Sequence, residues 1–262
     1  MEQDLLDVFD SYFEIVDANT PELLDQVYSL RYQVYCVENE FEDPSQFSRE
    51  REIDIYDERS VHCLIRHRES GICAATARMV LHDANDDEAI FPIEKFCKQT
   101  FDDVGLDVST MPRNEIAEIS RFAVSKHFKR RVGESRTLAG VGPDTEQYCK
   151  QNDRVRLLPH ITLGLFAAVM KMSHDNNLKY WYAVMEPSLL RLLGRFGIHF
   201  GKIGGLIHYH GKRQVCFISV GQLLKRLYSE RSDVWELMTN RGERSITVSD
   251  LAEEQFLKRH IS

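Results

Sequence analysis

The sequence has no excess of basic residues. Its 33 Lys and Arg stand against 41 Asp and Glu, a formal net charge of −8. Nucleic acids and anionic membrane surfaces are bound through concentrated Lys and Arg, so neither is an expected partner, and any anion site has to be local. Long hydrophobic runs are missing too. The longest apolar stretch, Ile161 to Met170, is far shorter than the roughly 20 residues that cross a bilayer, so no transmembrane segment is expected. The opening Met1-Glu2-Gln3-Asp4 lacks the basic start of a signal peptide, and a cytoplasmic location is expected. The six cysteines (Cys36, Cys63, Cys73, Cys97, Cys149, Cys216) include no C-x-x-C pair, in a chain too large to need disulfide staples. Free, buried thiols and no metal centre are the expectation. Repeats and low-complexity tracts are also absent. What is present is a chain of 262 residues, 43% of them hydrophobic, which can bury one sizeable core.

Along that chain, Ser11 to Asp17 reads as a first strand. Thr20-Pro21 then supplies a cap and a first-turn proline for a helix reaching about Val37, with Leu23, Leu24, Val27, Leu30 and Val34 at helical spacing. Glu38 to Glu52 is acidic and aperiodic, a loop over the surface or over a site. Alternating segments around Glu69-Ser70-Gly71 predict a hairpin. Strands are expected at Ile116 to Ser125, Leu178 to Met185, His199 to His208 and Gln214 to Val220. Helices are expected over Leu157 to His174, Ser188 to Phe196 and the last forty residues. The order implies an α/β fold, a mixed central sheet with helices on both faces. Residues 1–220 would form the domain and 221–262 a helical extension packed on it.

Four islands carry a resemblance: Arg31-Tyr-Gln-Val-Tyr35, Asp54-Ile-Tyr-Asp57, Gly71 to Arg78 and Glu118-Ile-Ser-Arg-Phe-Ala-Val-Ser125. In order and spacing they resemble the Gcn5-related N-acetyltransferase (GNAT) fold. More narrowly, they resemble acyl-homoserine-lactone synthases and N-acyl amino acid synthases, including acyltransferases associated with PEP-CTERM/exosortase systems. The resemblance covers about residues 11–220. It implies a sheet splayed between its central strands, where the pantetheine arm of a thioester lies like an added strand. It also implies a donor site where the chain leaves the central strand, at Lys126, Lys129, Arg130, Arg131 and Gly133. The phosphate-loop pattern of acetyltransferases is half present there, since Arg130-Arg131-Val132-Gly133 is followed by Glu134-Ser135. The basic run suits an acidic acyl carrier protein; the alternative is an ordinary solvated turn. No permanently bound cofactor is implied, only acyl carrier protein (a 4′-phosphopantetheine thioester) or acyl-coenzyme A as co-substrate.

The resemblance further implies Glu118 as general base, with Glu115 the competing carboxylate. On a regular strand Glu118 and Arg121 face opposite ways; a bulge would let them converge. Arg31, Asp54, Asp57, Arg78 and Arg121 match a charged cluster around the acceptor, with Phe41 as its aromatic neighbour. Guanidinium suits a carboxylate and Asp an ammonium, as an amino acid acceptor requires. A structural ion-pair network is the other reading, and both can hold. Phe122, Ala123, Val124, Leu165, Phe166, Trp181 and Tyr182 would border the acyl chain, or simply be core. His199, His208 and His210 have no carboxylate or thiol placed with them for a metal. Gly201-x-x-Gly204-Gly205 lacks the helix start of a nucleotide loop. The resulting expectation is a monomeric or homodimeric N-acyltransferase moving a long-chain fatty acyl group onto an amino-acid-like amine. The rivals are a lactone-forming synthase using S-adenosylmethionine, and a non-catalytic acyl-binding module.

Overall fold

The computed structural model describes residues 4–83, 85–86, 89–103, 112–128, 157–208 and 211–244. The elements run α1 (Leu5–Tyr12), β1 (Phe13–Asp17), α2 (Pro21–Tyr32), β2 (Ser60–His67), β3 (Cys73–Val80), α3 (Pro92–Phe96), α4 (Lys98–Asp103) and β4 (Ile116–Val124). They continue with α5 (Leu157–Asp175), β5 (Tyr180–Met185), α6 (Pro187–Arg195), β6 (Gly201–His208), β7 (Lys212–Ser219), α7 (Val220–Glu230) and α8 (Ser232–Thr239). One seven-stranded mixed sheet has the order β1-β2-β3-β4-β5-β7-β6. Among the described strands only β4 and β5 are parallel neighbours, and α5 lies in the crossover between them.

Helices cover both faces. On one, α1, α5, α6, α7 and α8 share a core with Ile65, Met79, Ile119 and Trp181. The other is built in two pieces: Val27 and Leu30 of α2, with Val34 of the turn that follows it, pack on Leu64 and Ala123, while Phe91, which caps α3, Ile93 and the α4 residue Phe101 pack on Tyr182, Val215 and Phe217. Leu223, Leu227, Val234 and Met238 belong to the main core, so α7 and α8 are integral to its packing. The described cysteines are free. No described helix is long and apolar enough to cross a membrane.

The first expected strand is shorter than Ser11 to Asp17, because Ser11 and Tyr12 finish α1; Asp4 caps that helix by accepting from the Leu6 N–H, and Leu6 and Phe9 bury its apolar side. α2 has the expected Thr20 cap and Pro21, and passes into a widened π-helical turn over Gln33–Glu38. At the far edge of the sheet, the β6–β7 register slips between Ile203 and Leu206, and the Gln214 side-chain amide donates to the carbonyls of Ile203 and Gly204 at 3.2 and 3.1 Å.

The feature that positions the site is where β4 and β5 part. Their ladder runs from Ile116↔Tyr180 to Ile119↔Ala183 and then ends, although both strands continue. The gap therefore opens at Ser120, two residues before Phe122. On its other side β4 bulges: Arg78 faces Ser120 but Thr76 faces Ala123, so β4 carries one extra residue. Arg121 occupies the bulge in a left-handed conformation, φ 49°, a backbone state that costs energy for any residue but glycine.

Candidate active site

The bulge turns Arg121 onto the face that carries Glu118 and Ser120, and all three border one cavity of about 580 Å3 beneath α3 and the acidic loop. A narrower crevice of about 80 Å3 opens from the same floor into the gap between β4 and β5. Tyr35, Ile119, Ser120, Arg121, Val184 and Arg213 border both spaces. Phe122, Ala183, Met185 and Leu189 make the crevice apolar, while Glu42, Asp54, Arg78 and Glu118 make the cavity polar.

Glu118 is 5% exposed. The backbone N–H of Ile93, at the start of α3, donates to its Oε2 at 2.7 Å. Burial pushes the carboxyl up to about 7, and Glu94 adds to the rise, against the opposing pull of the Ile93 N–H, Arg78 and Arg121. A carboxyl half-ionised near neutrality at the floor of a cavity is suited to taking a proton from an ammonium. Glu115 does not compete for that part: it pairs with Lys179 and borders neither space.

Beside Glu118 lies a compact ion network. Arg31 is fully buried and pairs with Glu52 and, through both terminal nitrogens, with Asp57 at 2.6 and 3.1 Å. Arg78 donates to Asp54 at 2.6 Å, Asp57 at 2.9 Å and Ser120 Oγ at 3.0 Å. Arg121 donates to Glu52 at 2.9 Å and Asp54 at 3.0 Å, and its guanidinium lies 5.2 Å from the Tyr35 ring centre. Burial works against the charged carboxylates, but Arg31 and Arg78 hold Asp57, and Arg121 and Arg31 hold Glu52, below the usual range. Three guanidiniums thus meet three carboxylates. His62, 3.6 Å from Asp57 Oδ1, is pushed down to about 4 by burial and by Arg31, so it is neutral at physiological pH.

Of the residues singled out from sequence, Arg78, Asp54, Glu118 and Arg121 border the cavity, and Arg31 and Asp57 sit behind them in the network. Phe122 borders the crevice and packs against Phe166, ring centres 5.3 Å apart and tilted by 45°. The others lie elsewhere. Trp181 faces α5, where its indole N–H donates to Ser173 Oγ at 2.7 Å, because strand alternation sends it opposite Tyr182. Tyr182 packs among Phe91, Phe101 and Phe217. Ala123 and Val124 are buried against β3, Leu165 and Phe166 in the α5 core, and Phe41 packs with the α2 cluster. Lys126 opens the turn after β4, its backbone N–H donating to both oxygens of Glu38 at 2.9 and 3.0 Å. Lys129, Arg130, Arg131 and Gly133 lie outside the described residues, as does His210. Sequence reasoning missed Glu52, the pivot between Arg31 and Arg121, and also Ile93 and Arg213, and it named Tyr35 only as the end of an island. Glu52 lies at the end of an aperiodic loop and Arg213 in an ordinary strand.

A seven-stranded mixed sheet parted after the first half of β4, with a bulge at the parting, is the GNAT fold. Residues 30–139 match the family described as "Acetyltransferase (GNAT) domain", and the class that fold and match define is an N-acyltransferase. The structure is similar to that of BjaI, a CoA-dependent acyl-homoserine lactone synthase solved with SAM and isopentyl-CoA, with a TM-score of 0.55 at 18% identity over 94% of this chain and 99% of that one. The AHL synthase LasI superposes with a TM-score of 0.55 at 18% identity over 79% and 89%. FeeM, an N-acyl amino acid synthase from uncultured soil microbes, gives 0.50 at 13% identity over 82% and 93%. No curated protein matches the chain by sequence.

Proposed function

We propose that this N-acyltransferase moves a long-chain fatty acyl group from an acyl carrier protein or coenzyme A thioester to the amine of an amino-acid-like acceptor, forming an N-acyl amino acid in the cytoplasm. The observation that carries the reading is Glu118, buried at the floor of a polar cavity that runs into an apolar crevice between parted strands. The backbone of β4 beyond Ile119, unpaired by β5, is where pantetheine would lie as an added strand. The acyl chain would enter the crevice and present its carbonyl to the cavity. Glu118 takes one proton from the acceptor's ammonium, and the nitrogen lone pair forms the amide bond to the thioester carbon. The C–S bond then breaks, and sulfur leaves as the thiol with the amine's second proton. The basic run from Lys126 to Gly133 would steer the acidic carrier. The link to PEP-CTERM/exosortase systems rests on the resemblance of the four islands alone.

Incubating the purified protein with decanoyl carrier protein or decanoyl-coenzyme A, pooled amino acids and SAM, followed by product mass, tests the reading. N-acyl amino acids are expected; lactone alone would reassign the acceptor. Glu118→Gln should lower kcat by about 10²- to 10⁴-fold, the usual worth of a general base. In the wild type, kcat/KM should rise with pH through an acid limb near the Glu118 value of about 7. A loss under about threefold in Glu118→Gln removes Glu118 from that role.

A further inference from the structure

The acceptor's amine has a partner in Glu118, but the three arginines of the ion network are each hydrogen-bonded to two carboxylates: Arg31 to those of Glu52 and Asp57, Arg78 to those of Asp54 and Asp57, Arg121 to those of Glu52 and Asp54. A fourth guanidinium borders the same cavity. Arg213, on β7, is 6% exposed and also borders the crevice. Its Nη1 donates to the Lys212 carbonyl at 3.2 Å. Its Nη2 forms an ion pair with Glu186 Oε1 at 3.2 Å but makes no hydrogen bond. A buried donor left without a partner costs about 1–3 kcal/mol, more when charged.

The ladder places this group on the working face. Glu118 is level with Tyr182, and Tyr182 with Phe217; Arg213 lies four residues along β7 on the same side as Phe217 and Val215. That is roughly 13 Å along the strand and two strand spacings of about 4.8 Å across. The Glu and Arg side chains extending over that floor leave room for a small zwitterion between them. Glu186 supplies enough negative charge to keep an arginine buried without the full set of hydrogen bonds that closes off Arg31.

We propose that Arg213 is the anchor for the acceptor's carboxylate, so that the site selects amines bearing a carboxylate and the ion network serves as its frame. The inference rests on the acyl-transfer reading but is tested apart from it. A planar guanidinium whose Nη2 is ion-paired with Glu186 but makes no hydrogen bond can take a carboxylate in a charge-assisted one.

The test is equilibrium binding, by calorimetry on the full chain, of N-decanoyl amino acids and the matching N-decanoyl carboxamides. These are product-shaped probes that need no turnover. Wild-type protein should bind carboxylates about 10- to 100-fold more tightly than carboxamides. Arg213→Gln should erase that preference, and Arg213→Lys, a point charge in place of a fork, should retain part of it. The Lys variant also supplies the comparison if Arg213→Gln fails to fold. No carboxylate preference in the wild type, a preference that survives in Arg213→Gln, or a preference untouched in Arg213→Lys overturns the assignment. In parallel turnover assays, acyl transfer without carboxylate discrimination would leave the enzyme reading standing and remove Arg213. Discrimination without any transfer would do the reverse.

Discussion

At the scale of single residues, the site depends on which charges are compensated. Glu52 touches both Arg31 and Arg121 and is fully buried, so Glu52→Gln removes the counter-charge shared by the buried Arg31 and the partly exposed Arg121. Breaking a buried pair from one side typically costs 3–5 kcal/mol. A loss on the order of 3 kcal/mol in urea unfolding is expected; a change below about 1 kcal/mol would mean that the network is not structural. Glu52 was illegible in sequence because a lone acid in an acidic loop looks like solvent-facing charge. Arg31, Asp54, Asp57 and Arg78 were legible only as members of spaced islands. Arg121 was named through the same islands; alternation alone would have turned it away from Glu118, and the bulge in β4 is what turns it back.

At the scale of elements, hydrophobic alternation revealed the β2–β3 hairpin and β4, and the Thr20-Pro21 start revealed α2. The short helices escaped. α1 has only 8 residues and α3 only 5, too short for helical periodicity to stand out. Yet α3 supplies the Ile93 N–H that holds Glu118. Aromatic content in β5 drew attention to Trp181 and Tyr182 alike, whereas the parted strands are lined by their smaller neighbours Ala183 and Val184. That difference gives a prediction for the gap. Ala183 is buried and borders the crevice, so Ala183→Leu should fill it. Transfer from decanoyl donors should fall more than about tenfold while transfer from acetyl donors is kept, as a one-pocket packing change of about 1–3 kcal/mol implies. Equal loss for both donors, measured as thiol release, would place the acyl chain elsewhere.

At the scale of the whole molecule, the ionisable groups pull stability in opposite directions with pH. Glu118, raised by burial to about 7, favours the folded state fully below the ordinary carboxylate range. That contribution is lost as pH rises from about 4.5 through 7, because the unfolded chain releases its proton first. Asp57 and Glu52, lowered by their arginines against the cost of burial, contribute above the ordinary range and lose that contribution in stronger acid. Thermal unfolding followed by circular dichroism should therefore show greatest stability in weakly acidic buffer. Glu118→Gln should abolish the decline between pH 5 and 7.5, gaining on the order of 2–4 kcal/mol at the upper end. An unchanged slope in the variant would mean that Glu118 ionises at an ordinary pH.

The slipped register between β6 and β7 has a consequence for life at high concentration. An outermost strand offers unused backbone donors and acceptors, and a straight one invites a neighbour's strand to zip on. Here the offset at Ile203 to Leu206, pinned by the Gln214 amide and flanked by exposed Lys202 and Lys212, bends and charges that border. The outermost strand, β6, is thereby a poor template for a neighbour's strand along this edge of the sheet.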